Sequence, residues 1–225
     1  MNTPRTAPVI TIDGPSASGK GTLARALAKR LNFYYLDTGA IYRALALDLL
    51  ARGIDPDDAD SCAAEARRFA PLFRPEMTET PDIRTDTVAQ ASSKSSRHPG
   101  VRAALLDLQR DLAHNPPAPF KGAVLDGRDT GTVVCPDAPL KLFLTANPAE
   151  RAVRRTKELL SRGIPTTYEA VLQDLESRDA RDSSRDVAPL RPAEDAAAVD
   201  TTDMDADAAL DHVLSLVRAR FPGLA

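Results

Sequence analysis

The stretch Gly14–Thr22, GPSASGKGT, contains the residues whose types and spacing most directly indicate chemistry. Glycines allow backbone N–H groups to curl around an anion, and a helix beginning at the loop adds the positive end of its dipole. The ammonium group of Lys20 would reach the terminal phosphates of a nucleotide. The usual pattern has Ser or Thr directly after the lysine, whereas here Gly21 precedes Thr22. The stretch predicts a phosphate-binding loop, and the alternative is a glycine-rich turn without a ligand.

The segments on both sides of this loop are those that a phosphate-binding loop requires. Residues 9–12, Val-Ile-Thr-Ile, form a short β-branched run that is typical of a buried strand. After the loop, Leu23, Leu27 and Leu31 are spaced four apart, which places them on one face of a helix. Strand, loop and helix in this order would position the N–H groups and Lys20 around one anion.

The rest of the chain alternates short apolar runs with helical patterns. Further strands are predicted at 33–36, 122–126, 140–144 and 197–199. Helices are predicted at 40–51, 57–69, 86–95, 101–113, 148–162, 167–185 and 205–220. This alternation indicates an α/β fold with a five-stranded parallel sheet and right-handed crossovers. Ligands bind beyond the carboxyl ends of such strands, so the loops at 13–22, 37–39 and 126–131 are expected to share one cleft.

The loop at 126–131, DGRDTG, contains an arginine between two acids directly after a predicted buried strand. An acid at the end of such a strand is a usual partner for Mg²⁺ or its waters, which is the role we predict for Asp126. Arg128 could bind a phosphate with its forked guanidinium, and Asp129 could accept a hydrogen bond from the amino group of a base. The alternative is a simple turn, because Asp-Gly is common in turns.

A second polar segment, 37–43, has the sequence DTGAIYR and precedes a predicted helix at the same edge of the sheet. Thr38 offers a hydroxyl group, and Arg43 follows about one and a half helical turns later. The alternative is a capping residue followed by a surface arginine.

Residues 148–191 are rich in arginines interleaved with acids, and Gly163-Ile164-Pro165 interrupts the helical pattern. Two groups of charged residues have helical spacing: Arg151, Arg154 and Arg155, and then Arg178, Arg181, Asp182 and Arg185. A solvated, salt-bridged surface is the alternative. Phosphoryl transfer between two nucleotides gathers several negative charges, however, and needs cations that close over them and exclude water. The region is therefore interpreted as a moving lid, with Arg185 as one of its exposed arginines.

Length and composition limit the class of protein. A chain of 225 residues fits one α/β domain, 1–225, with small appendages. Its net charge of −3 creates no global field that would attract nucleic acid or an anionic membrane. No stretch approaches the length of a membrane span. Cys62 and Cys135 lack metal-ligand spacing and are interpreted as packed thiols, which indicates a reducing, cytoplasmic location.

Five motifs follow one another along the chain: GPSASGKGT, LDTGAIYR, DGRDTGTVV, PDAPLKLFL and SRDARDSSRDVAPL. Together they resemble bacterial cytidylate kinases, over about residues 9–200. The resemblance implies a three-layer P-loop NTPase core and MgATP-dependent phosphorylation of CMP and dCMP in pyrimidine metabolism. It also implies a monophosphate-binding insert, here reduced and at 71–97, and an arginine-rich helical lid at 148–186. The expected partners are small-molecule nucleotides, with no nucleic acid and no membrane, and the protein is expected to be a cytoplasmic monomer.

The resemblance implies roles for individual residues as well. ATP would bind to Gly14, Pro15, Ser16, Ala17, Ser18, Gly19, Lys20, Gly21 and Thr22. CMP would bind to Thr38, Arg43, Ser93, Arg102, Arg128, Asp129, Arg178, Asp182 and Arg185. The catalytic residues would be Lys20, Arg128, Arg154, Arg155 and Arg185. Thr22 and Asp126 would hold Mg²⁺, the carboxylate through water. No general base is required, because the attacking phosphate oxygen is already ionised at neutral pH.

The chain departs from the family pattern in two places. Thr38 replaces the more usual serine, and residues 73–84 form a short, proline-marked segment where members carry a small three-stranded β unit. One alternative function is another small P-loop kinase, with UMP, AMP or shikimate as the acceptor. A nucleotide-dependent switch is the alternative from a different class. It is disfavoured because Thr156-Lys157-Glu158-Leu159 lacks the acid with which such switches read guanine.

Overall fold

The computed structural model describes residues 7–185 and 187–224. The chain forms two compact units, one built from the residues up to Leu36 and from Ala113 onward, the other from Asp37–Leu112. The strands are β1 (Val9–Asp13), β2 (Tyr34–Asp37), β3 (Ala123–Gly127), β4 (Leu140–Thr145) and β5 (Ala197–Asp200). The helices are α1 (Lys20–Leu31), α2 (Thr38–Ala51), α3 (Ala59–Phe69), α4 (Asp86–Ser95), α5 (Pro99–His114), α6 (Pro148–Ser161), α7 (Tyr168–Ser183) and α8 (Ala206–Arg220).

The five strands form one parallel sheet in the order β2-β3-β1-β4-β5. This confirms the predicted α/β fold, and each predicted strand lies within one residue of the observed one. β1 is central, and the register places Ile12 beside Asp126 and Asp13 beside Gly127. The carboxyl ends of β1 and β3 therefore lie side by side, where the loops that follow them can meet.

The hydrophobic core of the first unit packs α1 against β1. Leu23, Leu27 and Leu31, the predicted helical face, pack with Ile10 and Ile12 of β1 in one buried cluster. Val213, Leu214 and Val217 of α8 complete this cluster. Because burial of each such side chain contributes about 1.5–3 kcal/mol, this packing holds the first turn of α1 against the end of β1.

Two predicted loops are shorter than expected, because helical structure begins inside each of them. In the segment 37–39, the Asp37 Oδ1 atom accepts the Ala40 N–H at 2.9 Å and caps a helix, α2, that already begins at Thr38. In the loop after β3, Thr130–Val134 forms a π-helical turn. The Val133 and Val134 N–H groups both donate to the Asp129 carbonyl, at 2.9 and 3.2 Å. Tertiary contacts at the strand ends thus order backbone that the sequence pattern marks as irregular.

The second unit is helical from Thr38 onward. α2 packs against α3 and α4, and residues 38–112, all of which the structure describes, contain no strand. The proline-marked segment, 73–84, forms two short 3₁₀ turns, Pro75–Thr78 and Pro81–Arg84, and a third, Ala70–Leu72, precedes it. Proline fits the first positions of such turns, because the N–H that it lacks would be unbonded there. The expected absence of a β unit from 73–84 is confirmed.

Two further expectations concern the chain as a whole. Cys62 and Cys135 are buried free thiols, as packed cysteines should be. Within residues 7–185 and 187–224, no helix combines the length and the apolar character that crossing a membrane requires.

Candidate nucleotide site

The predicted phosphate-binding loop connects β1 directly to α1. Gly14 has φ +152°, and a Cβ atom there would lie 2.1 Å from the Leu144 carbonyl oxygen, so only glycine fits. Gly19, with φ +86°, precedes α1 without a side-chain cap. The first N–H groups of a helix have no partners inside the helix. This uncapped N-terminus is therefore built to receive an anion.

Lys20 is the first residue of α1 and is largely buried. Its Nζ atom donates to the Pro15 carbonyl across the loop at 3.1 Å. The ammonium group is thus held over the loop, where a bound phosphate would meet it. The Ser18 Oγ atom is buried in the same loop and has no hydrogen-bond partner among the described residues.

Two residues outside the loop hold its carbonyl groups, and sequence reasoning assigned a site role to neither. The Arg151 Nη1 atom donates to the Ser16 carbonyl at 3.1 Å, and the Thr201 hydroxyl donates to the Ser18 carbonyl at 3.0 Å. These partners are 135 and 183 residues apart in the chain. The only sequence signal for Arg151 is its membership of a basic helical face, and Thr201 has none.

A cavity of about 960 Å³ opens beside the loop in the first unit. The cavity is lined by residues of the loop and α1, by charged residues of α6, and by residues just before and in the first turns of α8. Its volume is in the range of small-molecule and cofactor sites. With phosphates at the loop, the remainder of a nucleotide would extend between α6 and the start of α8.

Arg154 and Arg155 both line this cavity but differ in their contacts. Arg155 pairs with Glu158 at 2.7 Å on the same helix. The Arg154 guanidinium instead bonds to Glu150 at 3.0 Å and to the Thr201 carbonyl at 2.6 Å. Arg155 is therefore held by a surface ion pair that a ligand can replace. Arg154 is instead bonded to a backbone carbonyl group in the wall of the cavity.

Asp126, near the end of β3, lies close to Gly21, the residue that follows Lys20. Asp126 is buried, and its Oδ2 atom accepts the Tyr35 hydroxyl at 3.2 Å. A Cβ atom on Gly21 would lie 2.9 Å from the same oxygen. Glycine thus leaves room for the carboxylate where most phosphate loops have a hydroxyl. The hydrogen bond between Tyr35 and Asp126 could not be predicted from the strand pattern.

The residues around Asp126 fit a hydrated magnesium ion. Among residues 7–185 and 187–224, no cluster of three or more His, Cys, Asp or Glu side chains could hold a metal ion by itself. Mg²⁺ usually keeps several waters and takes one or two carboxylates together with substrate phosphates. Asp126 and the exposed Thr22, which lines the cavity, supply a donor set of that kind.

A second group of charges, which we call the cationic group, joins the loop after β3 to α7 and the residues that follow it. Its members are Arg128, Arg178, Asp182 and Arg185. Arg128 donates from Nε to Asp182 at 3.0 Å and from Nη2 to the Ser16 hydroxyl at 2.8 Å. Arg185 binds the other oxygen of Asp182, at 2.5 Å. The prediction of Arg185 as an exposed lid residue is wrong, because this pair keeps its side chain at 15% exposure.

The pKa shifts of Arg178 and Asp182 reflect the crowding of cations in this group. Burial lowers the pKa of Arg178, and the charge of nearby Arg128 lowers it further. Burial alone would raise the pKa of Asp182, but the charges of Arg128 and Arg185 outweigh it and lower that pKa. Arg128 and Arg185 thus share one buried carboxylate. Arg178 is near enough to feel the charge of Arg128, while its own ion pair is with Asp174 at 3.8 Å. An added anion would relieve their repulsion.

Asp13, at the end of β1, is a site residue that sequence reasoning missed. It is buried, and it accepts the Thr130 N–H at 2.9 Å, the Thr130 hydroxyl at 2.8 Å and the Gly131 N–H at 2.8 Å. These bonds tie the turn that carries Arg128 and Asp129 to the strand that carries the phosphate loop. Asp129 is itself buried beside them, close enough for its charge to raise the pKa of Asp13.

Asp13 makes a testable contribution to the pH dependence of stability. Burial raises its pKa to about 6, from 3.8, although the bonds from Gly131 and Thr130 oppose this. The folded protein therefore binds a proton more tightly than the unfolded chain does. The contribution is complete below about pH 3.8 and is lost as the pH rises through about 6.

We expect Asp13→Asn to destabilise the protein at every pH, since its amide NH₂ group would face the Gly131 N–H. This variant lacks the titration, so its deficit should shrink by about 2.4 kcal/mol between pH 4 and pH 7. Urea unfolding of both proteins at four pH values measures the difference. A deficit that stays constant or grows with pH would contradict the assignment.

The other predicted acceptor residues lie in the second unit. Thr38 is buried at the start of α2, and Arg43 is half-buried on the same helix. Ser93 is on α4, which packs against α2. Arg102 of α5 lies over the Tyr42 ring, with its guanidinium carbon 5.4 Å from the ring centre. The four residues thus belong to three helices of this unit, α2, α4 and α5, and both α4 and α5 contact α2.

Comparison with known proteins gives a consistent result. The family model described as cytidylate kinase matches residues 10–219. The chain is 53% identical to a cytidylate kinase of Paramagnetospirillum magneticum over 212 residues, which cover 94% of this chain and 98% of that protein. It is 54% identical to a cytidylate kinase of Methylobacterium sp. over 215 residues, 96% and 99% of the two chains. An uncharacterized protein from Eubacterium ventriosum shares the fold, with a TM-score of 0.53 at 14% identity, over 95% of this chain and 99% of that one.

Proposed function

The chain belongs to the cytidylate kinase family, and we propose that it transfers the γ-phosphoryl group of ATP to CMP or dCMP, producing ADP and CDP or dCDP. One observation carries the proposal. Arg128 donates to Ser16 of the phosphate loop and to Asp182 of the cationic group, so a donor site and an acceptor site adjoin at one side chain. This is the arrangement that transfer between two phosphates requires.

The donor half of the site is formed by the phosphate loop and the cavity beside it. The N–H groups of 14–22 would surround the β- and γ-phosphates, and Lys20 would neutralise charge that develops on the migrating group. Arg155 would exchange Glu158 for a phosphate when the lid, 148–186, closes. Mg²⁺, held by Thr22 and, through water, by Asp126, would supply charge neutralisation at the phosphate oxygens.

The acceptor half is formed by the cationic group. Arg128 and Arg185, with Arg43 from the second unit, would bind the CMP phosphate, and Arg178 and Asp182 would bind its sugar. Ser93, Arg102 and Asp129 would recognise cytosine, with Thr38 beside them. The attacking oxygen is already ionised at neutral pH, so these residues would align it and stabilise charge rather than remove a proton.

Several finer features belong to the proposal as well. Residues 71–97 would act as a reduced monophosphate-binding insert in a single kinase domain. The protein would act as a monomer in the cytoplasm, in pyrimidine nucleotide metabolism. The 3₁₀ turns of Pro75–Thr78 and Pro81–Arg84, both packed against α2, support an insert that is compact rather than absent.

A panel of acceptors tests the substrate assignment. CMP, dCMP, UMP, AMP and shikimate are supplied at equal concentration with MgATP, and ADP release is followed in a coupled assay. We expect CMP and dCMP to be phosphorylated at least tenfold faster than the others. Faster turnover of UMP or AMP would show that the base assignment is wrong. Tight nucleotide binding without acceptor-dependent ADP release would favour a nucleotide switch.

A further inference from the structure

Arg151 is a buried arginine in the first turn of α6. Its side chain is 4% exposed, and it is not among the residues that line the cavity. Its Nε atom donates to the Ala146 carbonyl at 3.0 Å, and its Nη1 atom donates to the Ser16 carbonyl at 3.1 Å. Its Nη2 atom pairs with the Asp179 Oδ2 atom at 2.7 Å. One guanidinium group therefore joins the end of β4, the phosphate loop and α7.

Asp179 uses one of its two carboxylate oxygens, Oδ2, for the contact with Arg151. Its other carboxylate oxygen, Oδ1, is buried and has no hydrogen-bond partner among the described residues. A buried charge is costly without its partner, so the Arg151 pair holds Asp179 in place. On α7, Asp179 directly follows Arg178 and lies one turn before Asp182. The pair thus sets the position of the helix that carries the acceptor-site charges.

Ser16 is held from its other side as well. Its hydroxyl accepts the Arg128 Nη2 atom at 2.8 Å, and Arg128 in turn binds Asp182 at 3.0 Å. Arg151, Ser16, Arg128, Asp182 and Asp179 therefore form a closed ring of contacts, completed through the backbone of α7. We call these five residues the Arg151 ring. It joins the donor loop to the acceptor-site helix through two independent routes.

We propose that Arg151 is a positioning residue, which holds the phosphate loop and α7 in the register that aligns donor and acceptor phosphates. This rests on the proposed phosphoryl transfer. In-line displacement depends on the distance and angle between two bound groups, and a misplacement of about 1 Å can cost about 10²-fold in rate. Arg151 touches neither the cavity nor the Arg128 guanidinium, so it would act through Ser16 and Asp179 alone.

Arg151→Lys tests this role. Lysine keeps the charge but lacks the fork that reaches three partners at once. We expect kcat to fall about 30- to 100-fold, while the dissociation constants of ADP and CMP, each measured alone, stay within about threefold. A kcat that falls without weakened binding is the signature of lost alignment. Thermal melts monitor the folded fraction in every sample.

Asp179→Asn approaches the same pair from α7 and conserves the shape of the side chain. We expect a similar fall in kcat, and the double variant should lose little more than Arg151→Lys alone, because both substitutions break the same Arg151–Asp179 pair. Arg30→Lys is the matched control, since this exposed arginine lies in the last turn of α1, away from the lid and from the cavity lining. Its kcat should be unchanged.

Three outcomes would overturn the proposal: kcat that falls only in proportion to the folded fraction, a loss confined to KM, or additive losses in the double variant. If Arg151→Lys does not fold, Asp179→Asn alone decides on the first two criteria. If the wild-type protein prefers another acceptor nucleotide, the CMP assignment is wrong, but the Arg151 test proceeds with that acceptor and the same criteria.

Discussion

Lys20→Ala should lower kcat about 10³-fold or more while CMP affinity stays within about twofold of the wild-type value. Removal of a single charge-stabilising donor from a preorganised site costs about 10²–10³ in rate, and lysine contributes a full charge beside the migrating group. In this structure the ammonium group donates to the Pro15 carbonyl and is held within the loop. CMP is bound elsewhere in the proposed site, so its affinity should not depend on Lys20.

Steady-state kinetics with MgATP and direct titration with CMP measure the two effects separately. Lys20→Met is the matched control, because it keeps much of the packing of the largely buried stem without the charge. We expect the two variants to have similarly low kcat and nearly equal melting temperatures. Retention of more than a tenth of wild-type turnover in Lys20→Met would mean that the charge has no catalytic role.

Arg128→Ala should lower kcat/KM for CMP about 10³-fold. The charge of Arg128 lowers the pKa of Arg178, which shows that the fold forces these cations together. A phosphate would bind where that repulsion is strongest, and a guanidinium group provides a forked, charge-assisted contact for it. The substitution also removes the bond to Ser16, so alignment with the donor should be lost along with acceptor binding.

Titration with CMP and steady-state kinetics check this result, and thermal melts exclude unfolding. Asp182 keeps Arg185 as its partner, so the melting temperature should fall only modestly. Arg218→Ala provides a matched control, because Arg218 is an exposed arginine in the last turn of α8. If Arg128→Ala and Arg218→Ala had equal kcat/KM, the acceptor site would have to lie elsewhere.

The local features of this protein could be predicted from its sequence because their causes are local. The strand before the loop depends on a β-branched run, and the face of α1 depends on leucines spaced four apart. Gly14 is required by a backbone conformation that other residues rarely adopt. Lys20 was predicted from its place in the glycine-rich loop, and Asp126 and Arg128 were predicted because they lie at, or just after, the end of a predicted strand.

Only the tertiary structure revealed which residues hold these parts together. Asp13, Arg151 and Thr201 contact partners 117, 135 and 183 residues away in the chain. Neither periodicity nor spacing encodes such contacts, because they exist only once the sheet order places β1 between β3 and β4. The low exposure of Arg185 has a related origin, since its partner Asp182, three residues away, is itself bound by Arg128, 54 residues away in the chain. The sequence by itself predicted a phosphate-binding loop between β1 and α1, because its strand, glycines, lysine and helix are adjacent in the chain. The packed fold decided which distant side chains keep that loop and the cationic group in place.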